Sequence, residues 1–132
     1  DMASVGPFLP QRATPLAGEA SGSLETALRV LALVRITTRN AHMPANTAVA
    51  SLDAASGLER ALRAGANVIM PDFTPEYCRG RYAIYDGKTH ITPERARAAI
   101  RNEGRRAGSG RGDSLRTGFS LTTMVSGVET LR

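Results

Sequence analysis
The chain has 132 residues, 42% of them hydrophobic and 5% aromatic with no tryptophan, and a formal charge of +5. That length bounds it to one domain at most, with a core drawn mainly from Ala, Leu, Val and Ile. The single cysteine, Cys78, excludes an intrachain disulfide and a metal site built from cysteines alone, and no run approaches the roughly 18 apolar residues of a membrane span. A lone cysteine points to a reducing, cytoplasmic setting. The first residues carry neither the basic segment nor the apolar core of a secretion signal. Position 1 is Asp, and an apolar segment follows almost at once, which suggests a piece of a longer chain. Nearly all the positive charge is arginine, since Lys88 is the only lysine. One reading of that charge is a small basic module for anions or nucleic acid; the other is a solvated arginine-rich surface. The basic run over residues 95–111 has no interleaved aromatics, so nucleic acid is not expected as a partner.

Residues 3–9 read as a first strand, although Pro7 is odd inside one and suits a bulge or strand end. A loop rich in Pro, Gly and Ser covers residues 10–22. Ser23 can cap a helix running to about Arg39, with Glu25 in its first turn. Leu24, Ala27, Leu28, Leu31 and Val34 share one face of it. Residues 45–52 are small and polar and read as a second, weak strand. Ser56-Gly-Leu-Glu59 matches a capping box for a helix to about Ala64, and Gly65 stands where a left-handed C-terminal residue belongs. Val68-Ile69-Met70 is a short apolar run that feeds a polar loop holding Pro71, Asp72, Thr74 and Pro75, the pattern of a buried parallel strand. Thr92-Pro93-Glu94 starts another helix, with Thr as cap and Pro at its first position, ending near Gly104. Residues 107–116 are rich in Gly, Ser and Arg and read as mobile, and 117–132 show no firm pattern.

Strand and helix alternate three times. Crossover helices of that kind imply an α/β fold with parallel strands. Three units cannot close an eight-stranded barrel, so they form either a small open sheet or part of something larger.

Val5-Gly-Pro-Phe-Leu-Pro10 with Thr14-Pro-Leu-Ala17, the helix around Ala32-Leu-Val-Arg35, Pro44-Ala-Asn-Thr-Ala48 and Gly65-Ala-Asn-Val-Ile-Met-Pro71 stand in an order and spacing of their own. They resemble strands six to eight of the radical S-adenosylmethionine (SAM) enzymes related to biotin synthase. Within that group the Val-Ile-Met-Pro strand with Thr74-Pro75, and Tyr82-Ala-Ile-Tyr85-Asp-Gly-Lys88, are most similar to the [FeFe]-hydrogenase maturation enzyme. The resemblance implies the C-terminal three β/α units of a radical SAM (β/α)8 TIM-type barrel over residues 1–115, followed by a poorly defined tail, 116–132. Biotin synthase is similar in layout, but its seventh strand carries an arginine that residues 44–52 lack. Methylornithine synthase is similar through Ala50-Ser-Leu-Asp53 and residues 65–68, without the later match.

The family binds a [4Fe–4S] cluster through three cysteines, uses it to cleave SAM to a 5′-deoxyadenosyl radical, and acts on a small substrate held in the barrel. A chain with only Cys78 cannot supply that cluster, so no catalytic or metal-ligating residue is expected here and the chain alone is not expected to be active. The resemblance implies that Gly6, Pro7 and Leu9 lie beside SAM. It places Asn46, Thr47, Met70, Tyr82 and Tyr85 on the substrate cavity, with Asn46 replacing a threonine. It also implies other hydrogenase maturation proteins as partners, and no membrane. From the residues alone, a strand end, a polar core pair and ordinary packing explain the same positions equally well. Arg79 and Arg81 could hold a carboxylate in two-pronged fashion or simply face water. His42 and His90 stand isolated, and Arg111-Gly-Asp113 is read as a chance tripeptide.

Overall fold
A computed structural model describes residues 2–110 and 112. The tail 116–132 and the Arg111-Gly-Asp113 tripeptide as a whole lie outside the described residues. Helix α1, Leu24–Thr38, begins where Ser23 Oγ accepts from the Thr26 N–H at 3.2 Å. It buries Ala27, Leu28 and Leu31, while Leu24 and Val34 pack half-buried against the same core. Helix α5, Pro93–Asn102, begins at Thr92, whose hydroxyl accepts from the Arg95 N–H. Helix α3, Gly57–Arg63, runs into Gly65, whose φ of +117° is the left-handed conformation that ends a helix. Between them lie α2, Thr47–Leu52, and α4, Glu76–Arg79, the latter continued by a 3-10 turn at Gly80–Tyr82.

The three expected strands do not form. Among the described residues there are only two isolated bridges, both parallel, Met2 with His42 and Pro44 with Val68. They are held by Ala3 N–H to His42 O at 2.8 Å and Ala45 N–H to Val68 O at 2.9 Å. The chain thus lays three parallel segments side by side in sequence order, but no ladder extends from them, and a barrel is not a feature of the described residues. Prolines explain part of this: Pro7, Pro44 and Pro71 have no N–H to donate and interrupt each segment. The second expected strand, residues 45–52, is instead mostly helix α2. Asn46 caps it, its Oδ1 accepting from the Val49 N–H at 3.1 Å, and a side-chain cap turns small residues into a helix more readily than into a strand.

The core lies where α1, α2, α3 and α5 meet. Leu31, Met43, Leu58 and Ile91 are almost wholly buried in it, each worth about 1.5–3 kcal/mol against exposure. Gly57 lets α3 approach α2: a Cβ there would stand 2.6 Å from the Val49 carbonyl oxygen.

The capping box at Ser56 is not made either. Ser56 gives no side-chain cap. Its own N–H and hydroxyl donate to the Asp53 carboxylate at 2.9 and 2.6 Å. Glu59 is buried and turns to α5, where Arg95 grips it with Nη1 at 2.6 Å and Nη2 at 2.9 Å. Asn102 Nδ2 donates to the same carboxylate at 3.2 Å. Arg95, more than any other group, holds the Glu59 carboxyl below its ordinary range. A paired, hydrogen-bonded carboxylate outcompetes a solvent-facing cap once α3 and α5 are brought together.

Candidate functional site
The parallel bridges give the three segments a common direction. Asn46, Thr47, Met70 and Asp72 follow their C-terminal ends, the side where ligands bind in folds with parallel strands. At those ends Asn46 is shared between two jobs. While Oδ1 caps α2, Nδ2 donates to the Val5 carbonyl at 2.6 Å. Gly6 has no side chain because the Asn46 amide fills the space a Cβ would need. This accounts for the glycine by a contact within the chain. Gly6 is exposed, and Pro7 and Leu9 are half-buried. The segment is held further on by Gly22 N–H to Phe8 O at 2.8 Å and Asp86 N–H to Pro10 O at 3.1 Å.

Thr47 and Tyr85 meet. Tyr85 is 9% exposed, and burial pushes its phenol above the usual tyrosine range, partly offset by the neighbouring hydroxyls of Ser51 and Thr47. Ser51 Oγ donates to Thr47 O at 2.8 Å and accepts from the Thr89 N–H at 2.9 Å, so it ties α2 to the segment behind Tyr85. Beside Tyr85 a cavity of about 290 Å³ is lined by Arg12, Arg79, Asp86, Lys88 and His90 among others. Arg79 is fixed by Nε donating to Thr74 O at 3.0 Å. Arg12 is held by its N–H on Asp86 Oδ2 at 3.1 Å. His90 Nδ1 lies 2.8 Å from Asp72 Oδ2. The Thr74 hydroxyl, then His90 and the Thr74 N–H, hold the Asp72 carboxyl far below its ordinary range. Cationic groups outnumber carboxylates on this wall, so the cavity favours an anionic group.

Met70 and Tyr82 do not join that cluster. They are 53% and 60% exposed, like Phe73 at 78% and Ile84 at 70%. Arg81 is exposed as well. Sequence reasoning gave Ser51, Arg12, Lys88 and Asp72 no role in the site, although Asp72 stood in the polar loop after the third segment and the Asp72-x-Thr74 spacing is a local turn pattern.

Among the described residues no group of three or more His, Cys, Asp or Glu could hold a metal ion, and Cys78 is half-buried and unpaired with another cysteine. One thiol does not match a cluster bound by three, so these residues do not fit a [4Fe–4S] cluster. No helix among the described residues is long and apolar enough to cross a membrane.

No protein-family model matches the chain. It is similar to the [FeFe] hydrogenase maturase subunit HydE of Thermotoga maritima, 44% identical over 88 residues, which are 67% of this chain and 25% of that relative. The matched stretch falls in the relative's C-terminal part. The chain therefore spans a quarter of the length of the curated relative it matches.

Proposed function
The chain resembles the C-terminal part of a HydE-type radical SAM enzyme, and from that premise we propose that it forms the wall of a substrate cavity in an enzyme of the hydrogenase-maturation class. The observation that carries this reading is the 44% identity over 88 residues. Three parallel segments in sequence order support it as β/α units of a (β/α)8 barrel, with residues 1–115 as the barrel part. Exposed Met70 at the end of the third segment, and Phe73, Tyr82 and Ile84 beyond it, suit a surface meant to be covered by further barrel units and by substrate.

In this reading SAM and a [4Fe–4S] cluster belong to the whole enzyme, and the radical chemistry they supply arises outside these residues. What this chain contributes is enclosure and orientation. Thr47 and Tyr85 present hydroxyls to a small substrate, with Asn46, Met70 and Tyr82 completing the wall. Arg79 and Lys88 attract an anionic group of that substrate. Gly6, Pro7 and Leu9 lie along SAM through backbone and apolar contacts. The setting is cytoplasmic, and other hydrogenase maturation proteins are its partners.

A chimera tests this. The matching quarter of the Thermotoga maritima maturase is replaced by this chain, and 5′-deoxyadenosine formation and hydrogenase activation are measured. A folded chimera that retains both supports the reading. A folded, cluster-loaded chimera that forms no 5′-deoxyadenosine overturns it.

A further inference from the structure
At the opposite, N-terminal ends of the parallel segments lies a second cavity, of about 390 Å³. Arg35, Arg39, His42, Asn67 and Arg105 are among its lining residues, and no carboxylate of the described residues lines it. Two of the arginines are locked in place by main-chain carbonyls. Arg35 Nε donates to Gly65 O and Nη1 to Ala41 O, both at 2.8 Å, and Nη1 also reaches Arg39 O. Arg105 Nη1 donates to Ala66 O at 3.1 Å and Nη2 to Leu62 O at 3.0 Å. These bonds leave both positive charges without a counter-charge among the described residues at the cavity wall. Arg39 sits on the rim with φ of 55°, a left-handed conformation that arginine adopts only under constraint. Arg35 Nη2 and both ring nitrogens of His42 are buried without a hydrogen-bond partner among the described residues. Buried polar atoms in that state are rare, and an ordered water or a bound ion is what completes them in other proteins.

We propose that this cavity binds a phosphate-type oxyanion. Fixed guanidinium groups supply planar, multi-pronged donors matched to oxygen-rich anions. Their charge is preorganised, because the carbonyls that hold them spend no freedom when the anion arrives. The anion neutralises the arginine cluster and offers acceptors to Arg35 Nη2 and to the one His42 ring nitrogen that carries the proton. The site is independent of the Tyr85 cavity, which lies at the other ends of the segments. Phosphate can come free or on an organic ester; the chemistry recognised is the same.

The test is calorimetric titration of the 132-residue chain with inorganic phosphate, and separately with adenosine monophosphate, at matched ionic strength, together with thermal midpoints in phosphate and in chloride. Saturable phosphate binding and a raised midpoint are expected. Arg39→Gln should weaken binding about tenfold, the loss of one charge-assisted bond, without moving the midpoint in chloride. His42→Phe, which removes the two orphaned nitrogens, should leave the midpoint in chloride equal or higher while blunting the phosphate response. Tighter binding of free phosphate identifies that source, tighter binding of the monophosphate identifies an ester, and both uphold the site. An equal response to phosphate and chloride, or full phosphate affinity in Arg39→Gln, overturns it.

Discussion

Asn46 ties Val5 to helix α2: its Nδ2 donates to the Val5 carbonyl at 2.6 Å while its Oδ1 caps the helix at Val49. One side chain therefore holds the first parallel segment against the second. Asn46→Ala should lose the cap, at about 1 kcal/mol, and also release residues 3–9. Asn46→Thr can keep the cap but not the long reach to Val5. Limited proteolysis should cut near Val5 in both variants, whereas the thermal midpoint should fall mainly in Asn46→Ala. Equal midpoints for the two would show that the cap carries little.

The Glu59–Arg95 pair makes a sharper case. Replacing Arg95 with Met leaves a buried carboxylate without its partner, a change that costs about 3–5 kcal/mol in well-buried pairs. Arg95 is 29% exposed on its side chain, so the lower end of that range is expected. The double variant Glu59→Leu with Arg95→Met should recover much of the loss. Denaturant unfolding of the four proteins measures the coupling, and additive effects would show that the two side chains contribute independently.

Acid should expose the same pair. The Glu59 carboxyl is lowered in the folded chain, so the folded state binds fewer protons than the unfolded one. The stabilisation is complete above the unfolded value of about 4.3 and is lost as pH falls through the folded value. Glu59→Gln should therefore flatten the acid limb of the stability curve below about pH 4.3. An unchanged acid limb in that variant would assign acid unfolding to other carboxylates.

Gly57→Ala should destabilise although alanine is the better helix former. Its Cβ would meet the Val49 carbonyl oxygen at 2.6 Å, and backbone rather than a flexible side chain must move. A loss of about 1–3 kcal/mol is expected from such overpacking. Gly80→Ala is the control, since nothing lies within 4 Å of a Cβ there; its midpoint should stay level or rise slightly.

Thr47 and Met70 separate function from folding. Met70 is 53% exposed, so Met70→Ala should shift stability by no more than about 0.5 kcal/mol. In the chimeric maturase, Thr47→Val and Met70→Ala should preserve 5′-deoxyadenosine formation while conversion of the substrate falls. Normal conversion in both would make these residues structural.

The helices with strong local signals were legible in the chain itself. Ser23 and Thr92 act on backbone groups three residues ahead, and Gly65 sets its own φ, so neighbours in sequence decide these features. The parallel direction of the segments was legible from the alternation of segment and helix, but the expected strands were not formed: among the described residues only isolated bridges, Met2 with His42 and Pro44 with Val68, pair them. Residues 45–52 were not legible, because small polar residues allow strand or helix, and the reach of Asn46 to Val5, 41 positions away, helps fix the outcome. Glu59 looked like a cap until α5 brought Arg95 to it from 36 positions on. Likewise no spacing in the chain places Tyr85 beside Thr47 and Ser51. Caps and left-handed glycines are decided within one helical turn, where the sequence is its own environment; ion pairs, buried phenols and the cavities beside them are decided by desolvation and proximity, which exist only after the helices have packed.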